Sequence, residues 1–395
     1  MNLLSNILHV WYAELRQVLH SQSLIIFCLL VPLAYPLLYA FVYTNETVRE
    51  VPVAVVDECH SALSREFSRK VDATSEVEVR YHCDLAQAQE LMRREEVYAI
   101  MRIPSSFGHD LSHGDQTYIA LYNDMRCMLY YKAALLAASN VSLEMNADIK
   151  VSNYLQASTD RQAEIIKAPV TNTHIALYNP QSGVASFLIP AVLMLMIQQL
   201  LFLSIGTSMG QTREHNRSIG LMLDNPWYRN PLGIVIGKVA FYVPLFLLVA
   251  IYMYAGVTSW FALPQLGDYV TFLLFVTPYI LACVLMGITL SGLIYRSEDA
   301  MLVYIFMSVP LLFLSGMSWP VASEPMGWRC LSWLFPSTFG MHGYVRIMGT
   351  GASLSQVAFE FRGLWIQCGV YFLTALAVYW GEGQRLLRHT SKVTA

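Results

Sequence analysis

The sequence predicts a polytopic α-helical membrane protein of six transmembrane helices, with an extracytoplasmic α/β domain inserted between helices 1 and 2. Three observations carry this. Only 13% of the 395 residues are charged and 55% are hydrophobic, whereas an average soluble domain is about 25% charged. The charges are segregated: residues 44–180 hold 13 of the 25 Lys+Arg and 19 of the 28 Asp+Glu. Around that segment lie six uncharged apolar runs, each close to the roughly 20 residues that a helix needs to cross a bilayer. The same numbers exclude other classes. A mean hydropathy of +0.43 excludes a disordered chain. A net charge of -3 gives no electrostatic case for nucleic acid.

Residues 1–20 come first. Leu4, Leu8, Trp11, Leu15 and Val18 recur at three- and four-residue steps, with Ser5, Asn6, His9, Glu14, Arg16 and Gln17 largely between them. This predicts an amphipathic in-plane helix on the inner leaflet; the alternative is a plain extension of the first span. The first span, 21–43 with its core Leu24–Tyr43, is too long for a signal-peptide core, and no small-residue cleavage site follows it, so it reads as an anchor. The other spans are Gly183–Ser208, Val239–Leu263, Tyr269–Tyr295, Ala300–Val321 and Gly363–Trp380, and none of the six contains Asp, Glu, Lys, Arg or His. Continuous runs of this kind are helices, not barrel strands.

Arg16, Arg213, Arg217, Arg229, Lys238, Arg296, Arg385, Arg388 and Lys392 all fall on one side of this topology. By the positive-inside rule that side is the cytoplasm. Both termini, including the tail 383–395, are then cytoplasmic, and residues 44–180 lie outside.

Within 44–180, Val51–Asp57, Val77–His82, Val97–Ile103 and Tyr118–Tyr122 read as strands. Ser61–Ala73, Asp84–Arg94 and Met128–Gln156 read as helices, with Ser61 and Asp84 as caps. Strands alternating with helices predict an α/β domain. Cys59 and Cys83 are candidates for a disulfide in an oxidising compartment. No metal site is expected, because His82, His109 and His113 lack ligand spacing.

Ionisable groups inside spans mark ion paths; their absence argues against a proton-coupled carrier. Gly233–Gly237 followed by Lys238 has the wrong spacing for a phosphate-binding loop. The chain therefore holds no ATPase motif and no catalytic residue is assigned. Gly206-x-x-x-Gly210 and Gly233-x-x-x-Gly237 allow close helix approach, within the chain or between two chains. Gln198 and Gln199 sit mid-span and either line a substrate path or bridge two helices. The loop 210–230 starts charged, at Arg213, Glu214 and Arg217, and continues with an apolar group including Ile219, Leu221 and Leu223. It is either a docking knob for a partner or a simple positive-inside loop.

Taken together, these elements resemble the permease subunit of ABC-2 type transporters, the bacterial ATP-binding-cassette exporters related to drug-efflux permeases. The resemblance rests on the in-plane helix, on the insertion opening with Val51-Pro-Val-Ala-Val-Val-Asp57, and on Gly210–Lys238. It also rests on Leu314-Ser-Gly-Met-Ser-Trp-Pro320, Trp333-Leu-Phe-Pro-Ser-Thr-Phe339 and Gly349-Thr-Gly-Ala-Ser-Leu354. It covers essentially the whole chain. The family's coupling loop usually reads acidic-Arg-Gly-Thr-x-Glu, and Arg213–Gly220 departs from that.

The resemblance implies a multi-pass protein of the bacterial inner membrane that binds no cofactor itself, with ATP and Mg²⁺ used by a separate cytoplasmic ATPase subunit. It implies a homodimer or a heterodimer with a related permease, with a periplasmic adaptor as a further candidate partner. Arg213, Glu214, Arg217, Ile219, Leu221 and Leu223 would couple to the ATPase. Residues 320–362 would form external re-entrant helices, with Trp319, Pro320, Trp333, Pro336 and Phe339 at an external gate beside Gln198 and Gln199; an interfacial aromatic belt is the alternative. The expected activity is outward movement of an amphipathic or lipid-like compound. An extracytoplasmic sensor without transport is the competing reading.

Overall fold

The computed structural model describes residues 3–42, 48–113, 115–153, 184–216, 228, 230–261, 265–317 and 324–393. The chain divides into two compact units, Thr47–Ile175 and the remainder.

The larger unit opens with α1 (Leu3–His20), followed by the first membrane helix, α2 (Gln22–Val42). Among the described residues, six helices are long and apolar enough to cross a membrane. The helix α1 is amphipathic, and its polar side is the one packed inside the protein. Its buried face is Asn6, Val10, Glu14 and Val18, whereas Leu4 (70%), Leu8 (59%) and Trp11 (37%) are exposed. The physical reason is that an apolar stripe is at home against lipid. A polar stripe must find partners inside the protein.

The smaller unit is built from β1 (Val51–Asp57), α3 (Ala62–Asp72), β2 (Val77–His82), α4 (Leu85–Arg93), β3 (Ala99–Ile103), α5 (Phe107–His113), β4 (Ala120–Asn123) and α6 (Met128–Asn153). The sheet order is β2-β1-β3-β4; β1 runs parallel to β2 and β3, and β4 runs antiparallel to β3. Alternation along β1 sends Val51, Val53 and Val55 to one face, against Phe67, Val71, Ala134 and Val141. It sends Ala54 and Val56 to the other face, against Ala88 and Val97. This is the period-two pattern of a strand buried on both sides.

Ser61 caps α3 by accepting from the Ser64 N–H at 3.0 Å, and Asp84 caps α4 through the Gln87 N–H at 2.7 Å. Lys70 bridges α3 to α6, lying 3.0 Å from both Glu144 and Asp148. Those carboxylates raise its pKa above the usual lysine value. The candidate pairing of Cys59 with Cys83 is not formed. Both are free thiols, Cys59 Sγ accepts the Gly108 N–H at 3.2 Å, and burial pushes the Cys83 thiol up. The helix α5 falls in a stretch to which the sequence reading assigned neither strand nor helix.

The next membrane helices are α7 (Val184–Asn216), α8 (Pro231–Trp260), α9 (Tyr269–Ser291) and α10 (Ser297–Leu314), and the sixth closes the described chain. Two short helices, α11 (Met326–Ser332) and α12 (Pro336–Tyr344), precede α13 (Ala358–Val393). Asn230 caps α8 by accepting from the Leu232 N–H at 3.1 Å, and Pro231 stands at its first turn. Asp268 caps α9 by accepting the Thr271 N–H at 3.1 Å, which holds its carboxyl below the ordinary range.

Two helices run beyond the spans read from the sequence. The helix α7 continues past Ser208 to Asn216, and α8 starts at Pro231 rather than Val239. Gly210–Asn216 is therefore helix, not loop, and Lys238 lies inside a helix. Charges ended the spans in the sequence reading; in the fold they are neutralised by partners, so the helices run on through them.

Both GxxxG pairs serve packing within the chain. A Cβ on Gly237 would sit 2.7 Å from Val10 of α1. One on Gly210 would sit 2.7 Å from the Ser297 backbone at the start of α10.

Candidate functional site

Two buried ionic clusters lie at the end of the bundle where α7 stops and α8 begins. The first joins α1, α7 and α8. Glu14 is 5% exposed and Lys238 3%, and they form a direct ion pair through Glu14 Oε1. Glu14 Oε2 accepts the Tyr242 hydroxyl at 3.0 Å and the Ser208 hydroxyl at 3.1 Å. Gln17 Nε2 donates to the Ser208 carbonyl at 3.0 Å, and Gln211 Nε2 donates to Ser21 Oγ at 2.9 Å. One carboxylate thus holds three helices together, with both charges of the pair answered, which is the condition for keeping ions out of water.

The second cluster joins α7 to the α9–α10 turn and to α13. Arg213, 8% exposed, donates to the Gly292 carbonyl at 3.3 Å and also to the Ile294 carbonyl. It pairs with Glu382 at 3.7 Å and lies 4.7 Å over the Tyr295 ring. Glu214 accepts the Ser297 N–H at 2.9 Å. Arginine suits this place because its planar fork can serve two carbonyls, a carboxylate and an aromatic face together.

About 22 Å along α13 from Glu382, at 1.5 Å per residue, Gln367 donates through Nε2 to the Trp333 carbonyl at 2.8 Å. The short helices α11 and α12 are seated here. Ser337 N–H, in the first turn of α12, donates to Gln198 Oε1 at 2.7 Å. Tyr279 donates to the Met194 carbonyl and Tyr371 to the Leu334 carbonyl. Gly340 faces the Tyr279 ring and Gly343 the Phe275 ring, each too close for a Cβ. Pro336 stands at the first turn of α12, and Phe339 packs 5.9 Å from Phe359.

Of the residues singled out in the sequence, Arg213 and Glu214 come together with α10 and α13. Arg217, Ile219, Leu221 and Leu223 lie outside the described residues, as do Trp319 and Pro320. Gln198 acts as a bridge from α7 to α12. Gln199 differs: its side chain is buried, yet neither its oxygen nor its nitrogen has a partner. Sequence reasoning missed Glu14, Lys238, Tyr242 and Glu382. A signal did exist, since Glu14 follows Asn6 and Val10 at four-residue steps and Lys238 interrupts an otherwise uncharged run. Among the described residues, no three His, Cys, Asp or Glu gather as a metal site.

A bundle of helices long and apolar enough to cross a membrane, with buried ionic clusters between them, is that of a polytopic α-helical membrane protein. Residues 22–377 match the family model described as ABC-2 family transporter protein. The chain belongs to the ABC-2 transporter family, a family whose permeases work with an ATP-binding-cassette ATPase. Compared with curated proteins, the chain matches none.

Proposed function

We propose that this chain is the permease half of an ATP-binding-cassette exporter and that residues 210–230 receive the stroke of a separate cytoplasmic ATPase. The single observation that supports this is the anchoring of both helices that flank the loop. Arg213 fixes the end of α7 to α13 and to the α9–α10 turn. Lys238 fixes the start of α8 to α1. A push on a segment held this way is delivered to several membrane helices at once, because close-packed and ion-paired elements move as bodies. Two such permeases, identical or related, enclose the path. The helices α11 and α12 close its outer end, and Gln199 is a polar group of α7 left to meet cargo. The cargo is an amphipathic or lipid-like small molecule moved outward across the bacterial inner membrane, with both termini in the cytoplasm.

The test is reconstitution in nanodiscs with the ATP-binding subunit. ATP hydrolysis is expected to rise with amphipathic compounds, and in vesicles export is expected to require hydrolysable nucleotide. Export by the purified chain without a nucleotide-hydrolysing companion would remove the proposal.

A further inference from the structure

A pocket of about 280 Å³ lies beneath the short helices, walled by the end of α10, by α11 and α12, and by the first turn of α13. We infer that it is a binding site for a protonated single-ring amine and, resting on the exporter reading above, that such amines are among the compounds exported.

The wall carries two carboxylates, Glu324 and Glu360, and three aromatic rings, Trp333, Phe339 and Phe359. Glu360 is only 8% exposed. Its Oε1 accepts from Arg346 at 2.8 Å, and its Oε2 is buried with no partner. Glu324 Oε1 is likewise buried and unpartnered. Arg329 Nε, also in the wall, is buried without a hydrogen-bond partner of its own, whereas two other polar groups of the wall are satisfied internally. His342 Nε2 meets the Ser315 carbonyl at 2.7 Å, and the Thr338 hydroxyl donates to the Ser332 carbonyl at 2.8 Å. What the pocket leaves open is two carboxylate oxygens and one guanidinium N–H, so acceptors outnumber donors and call for a further donor.

The rings select which donor. Phe359 lies 6.2 Å from Trp333 and 5.9 Å from Phe339, both edge to face. Aromatic faces around a carboxylate recognise an ammonium group better than a neutral hydroxyl, through the ring quadrupole and charge-assisted hydrogen bonds. Arg329 also lines the pocket and Arg346 holds Glu360, so the formal charges of the site balance. Recognition then comes from N–H donation and ring contact at short range, not from a negative field, and binding should depend only weakly on salt. The volume lies at the lower edge of ligand pockets, which run from about 300 to 1,000 Å³, and so suits one ring and a short alkylamine.

The experiment is calorimetric titration of the full-length chain in nanodiscs, without ATPase, using 2-phenylethylamine and its neutral counterpart 2-phenylethanol. Saturable binding of the amine is expected, with the alcohol weaker by about ten-fold or more. Glu324→Gln should weaken the amine about ten-fold and Trp333→Leu about five-fold or more. Glu360→Gln should do the same where it folds; because Glu360 also holds Arg346, the Glu324 and Trp333 variants are the decisive ones. Equal affinity for amine and alcohol, no saturable binding, or unchanged affinity in both of those variants would overturn the inference. The two readings fail separately. Binding needs no nucleotide, so its loss leaves the exporter proposal standing, and nucleotide-independent export with amine binding intact removes the exporter proposal alone.

Discussion

Replacing Lys238 by methionine is expected to destabilise the folded chain by about 3–5 kcal/mol, the usual result of leaving one member of a buried ion pair alone. The side chains of Lys238 and Glu14 are 4% and 7% exposed. Without the ammonium, the Glu14 carboxylate retains only the Tyr242 and Ser208 hydroxyls, too little to replace water around a charge. Three helices meet on that carboxylate, so the loss is not local. The measurement is thermal unfolding of the detergent-solubilised protein, followed by size-exclusion recovery after a heat step. Adding Glu14→Gln to Lys238→Met should recover most of the loss, because a neutral amide can accept the same hydroxyls without an uncompensated charge. Separate, additive effects of the two substitutions would mean that the pair is not coupled.

Arg213→Gln is expected to lower the response of the partner ATPase to the permease by about five- to a hundred-fold, the range of a typical coupling free energy. The guanidinium ties the last turn of α7 to Gly292, Ile294 and Glu382 together. Glutamine keeps a donor but loses the charge and the fork. Arg213→Lys should be intermediate, since an ammonium keeps the pair with Glu382 but cannot serve two carbonyls and stack over Tyr295. The check is ATPase rate with and without permease, alongside co-purification of the two subunits. Retained association with lost stimulation is the expected pattern; wild-type stimulation in Arg213→Gln would contradict the assigned role.

Much of this fold is legible in local sequence. The strand Val51–Asp57 shows as a short apolar run and Val77–His82 in its alternation, and Ser61 and Asp84 announce the helices that they cap. The membrane helices show in their length and lack of charge, and the family in the order of those elements. What was not legible depends on distant partners. The partners of α1 are one case, because amphipathicity marks an apolar and a polar side but not what the polar side meets. The ends of α7 and α8 lie beyond the spans read from the sequence for a related reason. A charge stops a span in a hydropathy reading, whereas Lys238 and Arg213 are carried inside by carboxylates that lie 224 and 169 positions away in the chain. The role of Gln198 was open between path and bridge until Ser337 was seen to point at it. Of the pocket around Glu360, the sequence pointed to Trp333 and Phe339 but not to the carboxylates beside them, since its walls come from four separate helices.

The exporter reading stands or falls on the side of the membrane where residues 210–230 lie and on what they touch there. Ile219→Cys, placed in a chain whose seven native cysteines are replaced by serine, is treated with a membrane-impermeant maleimide in intact and in permeabilised cells. A cytoplasmic coupling loop predicts no labelling until the cells are opened, and crosslinking of the same cysteine to an ATP-binding subunit. Labelling of Ile219→Cys in intact cells would contradict it.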